Sequence, residues 1–375
     1  MIRLSITISV IFLFSCRKDS GIISDLPILE TTQNGEAYAP NLQTGYNYED
    51  VLFPDHFLND NVLDPISTEN AVTNEGATLG RVLFYDKNLS INNTISCASC
   101  HHQSLGFSDS LPFSIGFEGG LTSRNSMAIS NVDYNHGFFW DVRASTIEQQ
   151  SLMPIQHPVE MGMTLAKLQY KLKQISYYPQ LFLNAFGSTE ITTQKISLAF
   201  GQFLRSMRSY RSKYDVGVEI GFSNFTAQEL LGYQIYSGEP SRCSNCHTTQ
   251  NFGGLENRNN GIDGIYSDLG LAGITNNDYD IGKFKSVSLR NIELTAPYMH
   301  DSRFQTLEEV LEFYSSQINA HANLDDLLST NFTTGGPPID LNFTKSEQKA
   351  IIAFLKTLTD FEFITDPMYS NPFPE

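Results

Sequence analysis

The sequence predicts a mainly α protein of two domains with long loops, and three observations predict it. Thr226 with Glu229, Thr306 with Glu309 and Thr344 with Glu347 form Thr-x-x-Glu capping boxes, each opening a run with apolar residues at helical spacing. Period-two alternation, the mark of a half-buried strand, is scarce. A Cys-x-x-Cys-His pattern stands once in each half, at Cys97–His101 and Cys243–His247, and takes four of the five cysteines. A chain of 375 residues is long enough for two domains that each bury a core.

The elements follow in chain order. Met1-Ile2-Arg3, an apolar run from Leu4 to Phe14 and then Ser15-Cys16 describe an export signal, since the run is too short to span a bilayer. Leu13-Phe14-Ser15-Cys16 resembles a bacterial lipoprotein signal, which implies lipidation of Cys16, release of residues 1–15 and an exported, periplasmic protein tied to a membrane only by that lipid. Residues 16–47 are polar and aperiodic, as a tether would be. Asn74 to Phe84 reads as a helix ending before Asp86-Lys87-Asn88. The long segment after the first Cys-x-x-Cys-His, including Gly116-Phe117-Glu118-Gly119-Gly120, reads as loops lining a site. Thr164 to Ile175 and Thr192 to Met207 read as further helices. A boundary between two helices is expected at Arg211 to Asn224, giving domains 48–215 and 216–365 and a tail 366–375. No internal repeat is evident beyond the Cys-x-x-Cys-His pattern itself.

That pattern has a chemical reason. Two thiols two residues apart bond to the two vinyl groups of one porphyrin, and the next histidine supplies a nitrogen to its iron. A zinc site would set its cysteine pairs a few tens of residues apart and would leave both histidines unexplained. Thioredoxin-like pairs would each want a βαβ surround, which is missing. The fold class is therefore mainly α, with two cytochrome c-like haem domains and two covalently bound c-type haems. Covalent haem attachment takes place outside the cytoplasm, in agreement with the export signal. The formal charge of −17 makes nucleic acid an unsuitable partner; a small basic electron carrier would be steered toward such a surface, although solubility alone accounts for the charge equally well.

More than the paired motifs is familiar. Leu79-Gly80-Arg81-Val82-Leu83-Phe84-Tyr85-Asp86, Ser114-Ile115-Gly116, Arg124-Asn125, Phe139-Trp140-Asp141, Pro158-Val159-Glu160-Met161-Gly162 and Leu289-Arg290-Asn291, with Pro297-Tyr298-Met299-His300-Asp301, resemble the bacterial di-haem cytochrome c peroxidase and MauG family, in the family's order from about Leu79 to Thr359. The resemblance implies that the haem on His101 reacts with hydrogen peroxide and the haem on His247 passes electrons. It places Glu160 as distal acid/base, Gln150 as a second polar pocket residue, Trp140 as an aromatic relay between the haems, and His300 among the residues around the cofactors. Heterolytic O–O cleavage needs a base that takes one proton from peroxide and returns it to the leaving oxygen, and a partly desolvated carboxylate does both.

Two positions set the type within the family. Where reductively activated members carry an iron-capping histidine after Ser-Ile-Gly, this chain has Phe117, so the first iron is expected to be accessible at rest unless His102 or His157 substitutes. Fourteen residues after His300, where ordinary members carry an axial methionine, stands Tyr314, as in MauG, with Met299 as the rival ligand. Leu307, Val310 and Leu311 share its helical face, which points it inward. The resemblance further implies a calcium ion held by Asn125, Thr295 and Pro297. The expected activity is reduction of hydrogen peroxide to water with electrons from a small carrier such as a c-type cytochrome. Two alternatives remain: MauG-like oxidation of a partner protein through a high-valent di-haem state, and a non-enzymatic di-haem electron carrier.

Overall fold

The computed structural model describes residues 32–33, 36–51, 53–58, 69–238 and 241–374. The expected signal and Cys16 lie outside the described residues. Among the described residues helices dominate, and the strands form two short antiparallel ribbons, Thr32–Gln33 with Glu36–Ala37 and Asn257–Arg258 with Phe284–Lys285.

Each half is closed by one pair of helices, for the same reason in both. In the first half the Asn74–Tyr85 helix is capped by Thr73, whose hydroxyl accepts from Gly76 N, and it crosses the Thr193–Ser206 helix, capped by Thr192. At the crossing stands Gly80, where a Cβ would fall 2.1 Å from Ala199 O and 2.6 Å from Phe203 Cβ. In the second half the Ala227–Ser237 and Lys345–Lys356 helices, both with the capping boxes read from the sequence, cross at Gly232, where a Cβ would fall 1.9 Å from Ala350 O and 2.9 Å from Phe354 Cβ. Glycine lets the backbones touch at both crossings, and each crossing is flanked by a core. Leu79, Val82, Phe84, Phe200 and Phe203 pack in the first, and Tyr236, Phe252, Ile351 and Phe354 in the second.

The stretch expected to hold the boundary lies between the Thr193–Ser206 and Ala227–Ser237 helices and contains a short helix of its own, Lys213–Glu219. Its start is a capping box in which Ser212 and Asp215 bond reciprocally. Asp215 also takes both arms of the Arg290 guanidinium at 2.9 Å and meets His56 at 3.2 Å, so the turn between the halves is a buried ion cluster. Within 366–375, Tyr369 and Phe373 join the first core, and the Tyr369 hydroxyl donates to Ser206 O at 2.6 Å. Within 16–47, Tyr38, Leu42 and Tyr46 lie against the same core.

Candidate functional site

Between the two halves lies one continuous cavity of about 1020 Å³, lined by Cys100, His101, Cys243, Cys246 and His247 together with Glu160, Trp140 and Tyr314. It exceeds the volume of most single-ligand pockets, roughly 300–1,000 Å³. Both histidines are set in the same way. His101 Nδ1 donates to Phe107 O at 2.8 Å, and His247 Nδ1 lies between Phe252 O at 3.0 Å and Val287 O at 3.1 Å. Carbonyl acceptors at Nδ1 fix the tautomer and leave Nε2 unprotonated, the arrangement a metal-bound imidazole requires. Burial also disfavours the imidazolium at both positions. The four thiols are free, and burial pushes Cys100 and Cys243 up to about 11 and Cys97 and Cys246 up to about 12. Neutral thiols paired around an apolar hollow, each pair followed by an oriented histidine, fit two covalently attached porphyrins.

On the first half's distal side, Gln150 and Pro154 line the cavity from the Ile147–Gln156 helix, which Thr146 caps. Glu160 reaches the same wall from the turn that follows. Burial raises its carboxyl above the usual carboxylate range, while His157 and Arg143 oppose the rise. The turn is held from two sides: Phe117 N donates to Glu160 O at 3.1 Å, and Ile91 N donates to Met161 O at 2.9 Å. The Phe117 ring stands where a Cβ on Gly162 would meet it at 2.6 Å. Phe117 thus packs against the glutamate's turn and is absent from the cavity wall, as is His102, whose Nε2 lies 4.0 Å from Asp109. His157 does line the cavity, with Nδ1 3.4 Å from Glu160 Oε1.

The second half repeats this wall, a signal the sequence reading missed. Phe138 to Ile147 and Tyr298 to Leu307 share an aromatic-x-x-Asp-x-Arg…Thr pattern. Both close a tight loop, Phe138 N to Ala144 O and Tyr298 N to Phe304 O, and both hold two non-glycine residues at positive φ: Phe139 (69°) and Val142 (51°), Met299 (75°) and Ser302 (62°). Both then start a helix capped by threonine. In this repeat Trp140 matches His300, and Tyr314 occupies the place in its helix that Pro154 occupies in the other. One element thus presents proline to the first cofactor position and a phenol to the second.

Burial pushes the Tyr314 phenol up to about 12. Its oxygen accepts from Asn260 Nδ2 at 3.2 Å, and the same nitrogen lies 3.9 Å from Met299 Sδ, so phenol and thioether face one donor. Asn260 carried no sequence signal. Trp140 stands between the halves: its Nε1 donates to Asn125 O at 3.0 Å, its carbonyl accepts from Lys285 N at 2.9 Å, and its ring meets His300 edge-on at 6.4 Å. His300 stacks on Phe284 at 3.8 Å. Arg124 fastens this region by bonding Asp141 at 2.6 Å and both oxygens of Asp268, at 2.7 and 2.8 Å.

Asn125, Thr295 and Pro297 line one stretch of the cavity. The Asn125 side-chain nitrogen is buried without a partner. Amide ends are assigned from their surroundings, and turning this one would place an unshared oxygen there, as a hard cation wants. No cluster of three or more His, Cys, Asp or Glu stands ready for a metal ion among the described residues, so ligands here would be amide and backbone oxygens.

Residues 74–220 match the family model described as di-haem cytochrome c peroxidase. The chain is 34% identical over 322 residues to the cytochrome c551 peroxidase of Nitrosomonas europaea, covering 83% of this chain and 90% of that protein. It is 32% identical over 307 residues to the methylamine utilization protein MauG of Methylorubrum extorquens, covering 78% and 81%. Among solved structures, a MauG-like protein associated with microbial copper homeostasis superposes with a TM-score of 0.75 at 32% identity, covering 85% of this chain and 98% of that one.

Proposed function

Because the chain belongs to the di-haem cytochrome c peroxidase family, we propose that it reduces hydrogen peroxide to water with electrons from an external donor such as a c-type cytochrome, peroxide being handled in the first half. Its two c-type haems carry the redox chemistry when bound. His101 and His247 would offer Nε2 to the two irons, and the cysteine pairs would fix the porphyrin edges. Glu160 takes the proton of bound peroxide and returns it to the leaving oxygen, a transfer suited to a carboxyl whose affinity for protons is raised by burial. Gln150 orients the peroxide by hydrogen bonding. Trp140 relays charge across the gap between the halves, held in place by Asn125 and Lys285. Tyr314, with Met299 as its rival, would be the residue offered to the second iron, where a phenolate would favour the oxidised metal. Asn125, Thr295 and Pro297 would hold a calcium ion that braces the junction.

One observation carries the reading: the cavity wall holds the Glu160 carboxyl, the Gln150 amide and Pro154 in the first half, whereas the position matching Pro154 in the second half is the phenol of Tyr314. Steady-state consumption of peroxide with a reduced c-type cytochrome tests it, and a protein that oxidises no cytochrome in the presence of peroxide refutes it. Tyr314 gives specific weight to a second reading, oxidation of residues on a partner protein, and side-by-side assays of cytochrome and protein donors separate the two. The resemblance of Leu13-Phe14-Ser15-Cys16 to a lipoprotein signal supports an exported protein anchored by a lipid on Cys16; Cys16→Ser should then move it from the membrane to the soluble fraction.

A further inference from the structure

Reduction of peroxide consumes protons from outside the site: H2O2 + 2 e⁻ + 2 H⁺ gives 2 H2O. Glu160 moves a proton from one peroxide oxygen to the other, which conserves protons, so two more must reach the reacting oxygen in each cycle, and the half-buried Glu160 carboxyl is the group placed to pass them on. Two elements bond the glutamate's turn, and a third acts on Glu160 through the charge of Arg143. The Ile91–Asn92 segment carries no charge, the Ser114–Gly120 loop carries only the exposed Glu118, and the Trp140–Ala144 loop presents Arg143, whose Nη1 is held by Asp141 at 2.9 Å. A guanidinium does not release its proton at working pH. Asp141 in that loop is engaged by Arg124 and Arg143, and Cys97 and Cys100 are the thiols assigned to the porphyrin, which leaves His157, on the turn itself.

Its geometry suits transfer in both directions. His157 Nδ1 lies 3.4 Å from Glu160 Oε1 and also 3.4 Å from Glu160 N. A neutral imidazole accepts from that backbone N–H, whereas an imidazolium donates to the carboxylate, so one nitrogen finds a partner in either protonation state. The His157 side chain is the more exposed of the two, at 44% against 29% for Glu160. An imidazole can take a proton at one ring nitrogen and release one from the other. We propose that His157 is the proton relay of the peroxidatic site, delivering solvent protons to Glu160 during turnover. It acts through Glu160, not on peroxide itself, and the proposal rests on the general-base reading above.

The test uses the intact di-haem protein, hydrogen peroxide, ferrocyanide as an electron donor that releases no proton, and a pH-indicator dye in weak buffer, followed by stopped flow. In His157→Gln and His157→Asn, proton uptake during reduction of the peroxide-treated protein should slow by about ten-fold or more, by a larger factor than the initial reaction with peroxide, and added imidazole should restore it. A second readout needs no turnover: in infrared titrations of the resting protein, the acid form of Glu160 should persist to higher pH in His157→Gln, because an imidazolium that favours the carboxylate is gone. Unchanged proton uptake in both variants, or an unmoved Glu160 titration, overturns the relay. A Glu160→Gln protein crippled toward peroxide beside unaffected His157 variants overturns the relay alone, whereas a Glu160→Gln protein as reactive as the original overturns the base assignment and the relay with it.

Discussion

Replacing Glu160 by glutamine isolates the proton-transfer step. The amide matches the carboxyl in size, and the turn that holds it is fixed through backbone atoms, Phe117 N to Glu160 O and Ile91 N to Met161 O, so the fold should not respond. What changes is basicity. A positioned general base contributes about 10²–10⁴ in rate, which corresponds to roughly 3–5 kcal/mol of barrier at about 1.4 kcal/mol per factor of ten. The pH profile gives a second, independent expectation. Burial raises the Glu160 carboxyl against the opposing charges of His157 and Arg143, so the active carboxylate is lost as pH falls through a value above the ordinary carboxylate range. The second-order rate constant of the oxidised protein with peroxide, read from the Soret change in stopped flow, should therefore rise with pH through that inflection. The Glu160→Gln protein should be slower by two to four orders of magnitude and lack the inflection. A variant within about three-fold of the original across the pH range would fall below what general-base catalysis supplies and would refute the assignment.

Two further expectations follow from the second half and the junction. Tyr314→Met should raise the reduction potential of the second haem in a spectroscopic redox titration, since a thioether favours reduced iron more than a phenolate does; an unchanged potential would mean Tyr314 is no ligand. Asp215→Asn should cost about 3–5 kcal/mol in urea unfolding at neutral pH, because it leaves the fully buried Arg290 charge without its counter-ion. Burial alone would raise the Asp215 carboxyl, but Arg290, His56 and Ser212 outweigh it and hold the group well below the usual range. A depressed carboxyl stabilises the fold fully above the unfolded value of about 3.9 and loses that contribution as pH falls toward the folded value. The difference between the two proteins should shrink below about pH 4, and a pH-independent difference would contradict the ion-pair origin.

The sequence revealed those features whose cause is local. Thr-x-x-Glu boxes at Thr226, Thr306 and Thr344 mark helix starts because cap and helix lie within four residues, and all three helices begin there. The Cys-x-x-Cys-His spacing is likewise local chemistry, and the structure brings both copies to one cavity. The Lys213–Glu219 helix was missed although Ser212 and Asp215 form the same kind of box; with seven residues, including Gly217 and two valines, its propensity is weak and its stability comes from the Arg290 pair. Asn260 and Lys285 were invisible because their importance depends on what folds against them: Tyr314 and Met299 for one, the Trp140 carbonyl for the other. The repeated wall at Phe138 and Tyr298 was legible in principle. Its identities are few, and the equivalence becomes plain only once both segments show the same bridge and the same positive-φ positions.

In the proposed function the two haem positions are inequivalent: the first would be accessible to peroxide at rest, because Phe117 has no ligating atom and His157 is turned to Glu160, and the second would be closed by Tyr314. Mixing the fully oxidised protein with one equivalent of hydrogen peroxide, with no prior reduction, tests it most directly. Rapid Soret changes followed by turnover on addition of donor are the predicted result. A protein inert to peroxide until one haem has been reduced would contradict it.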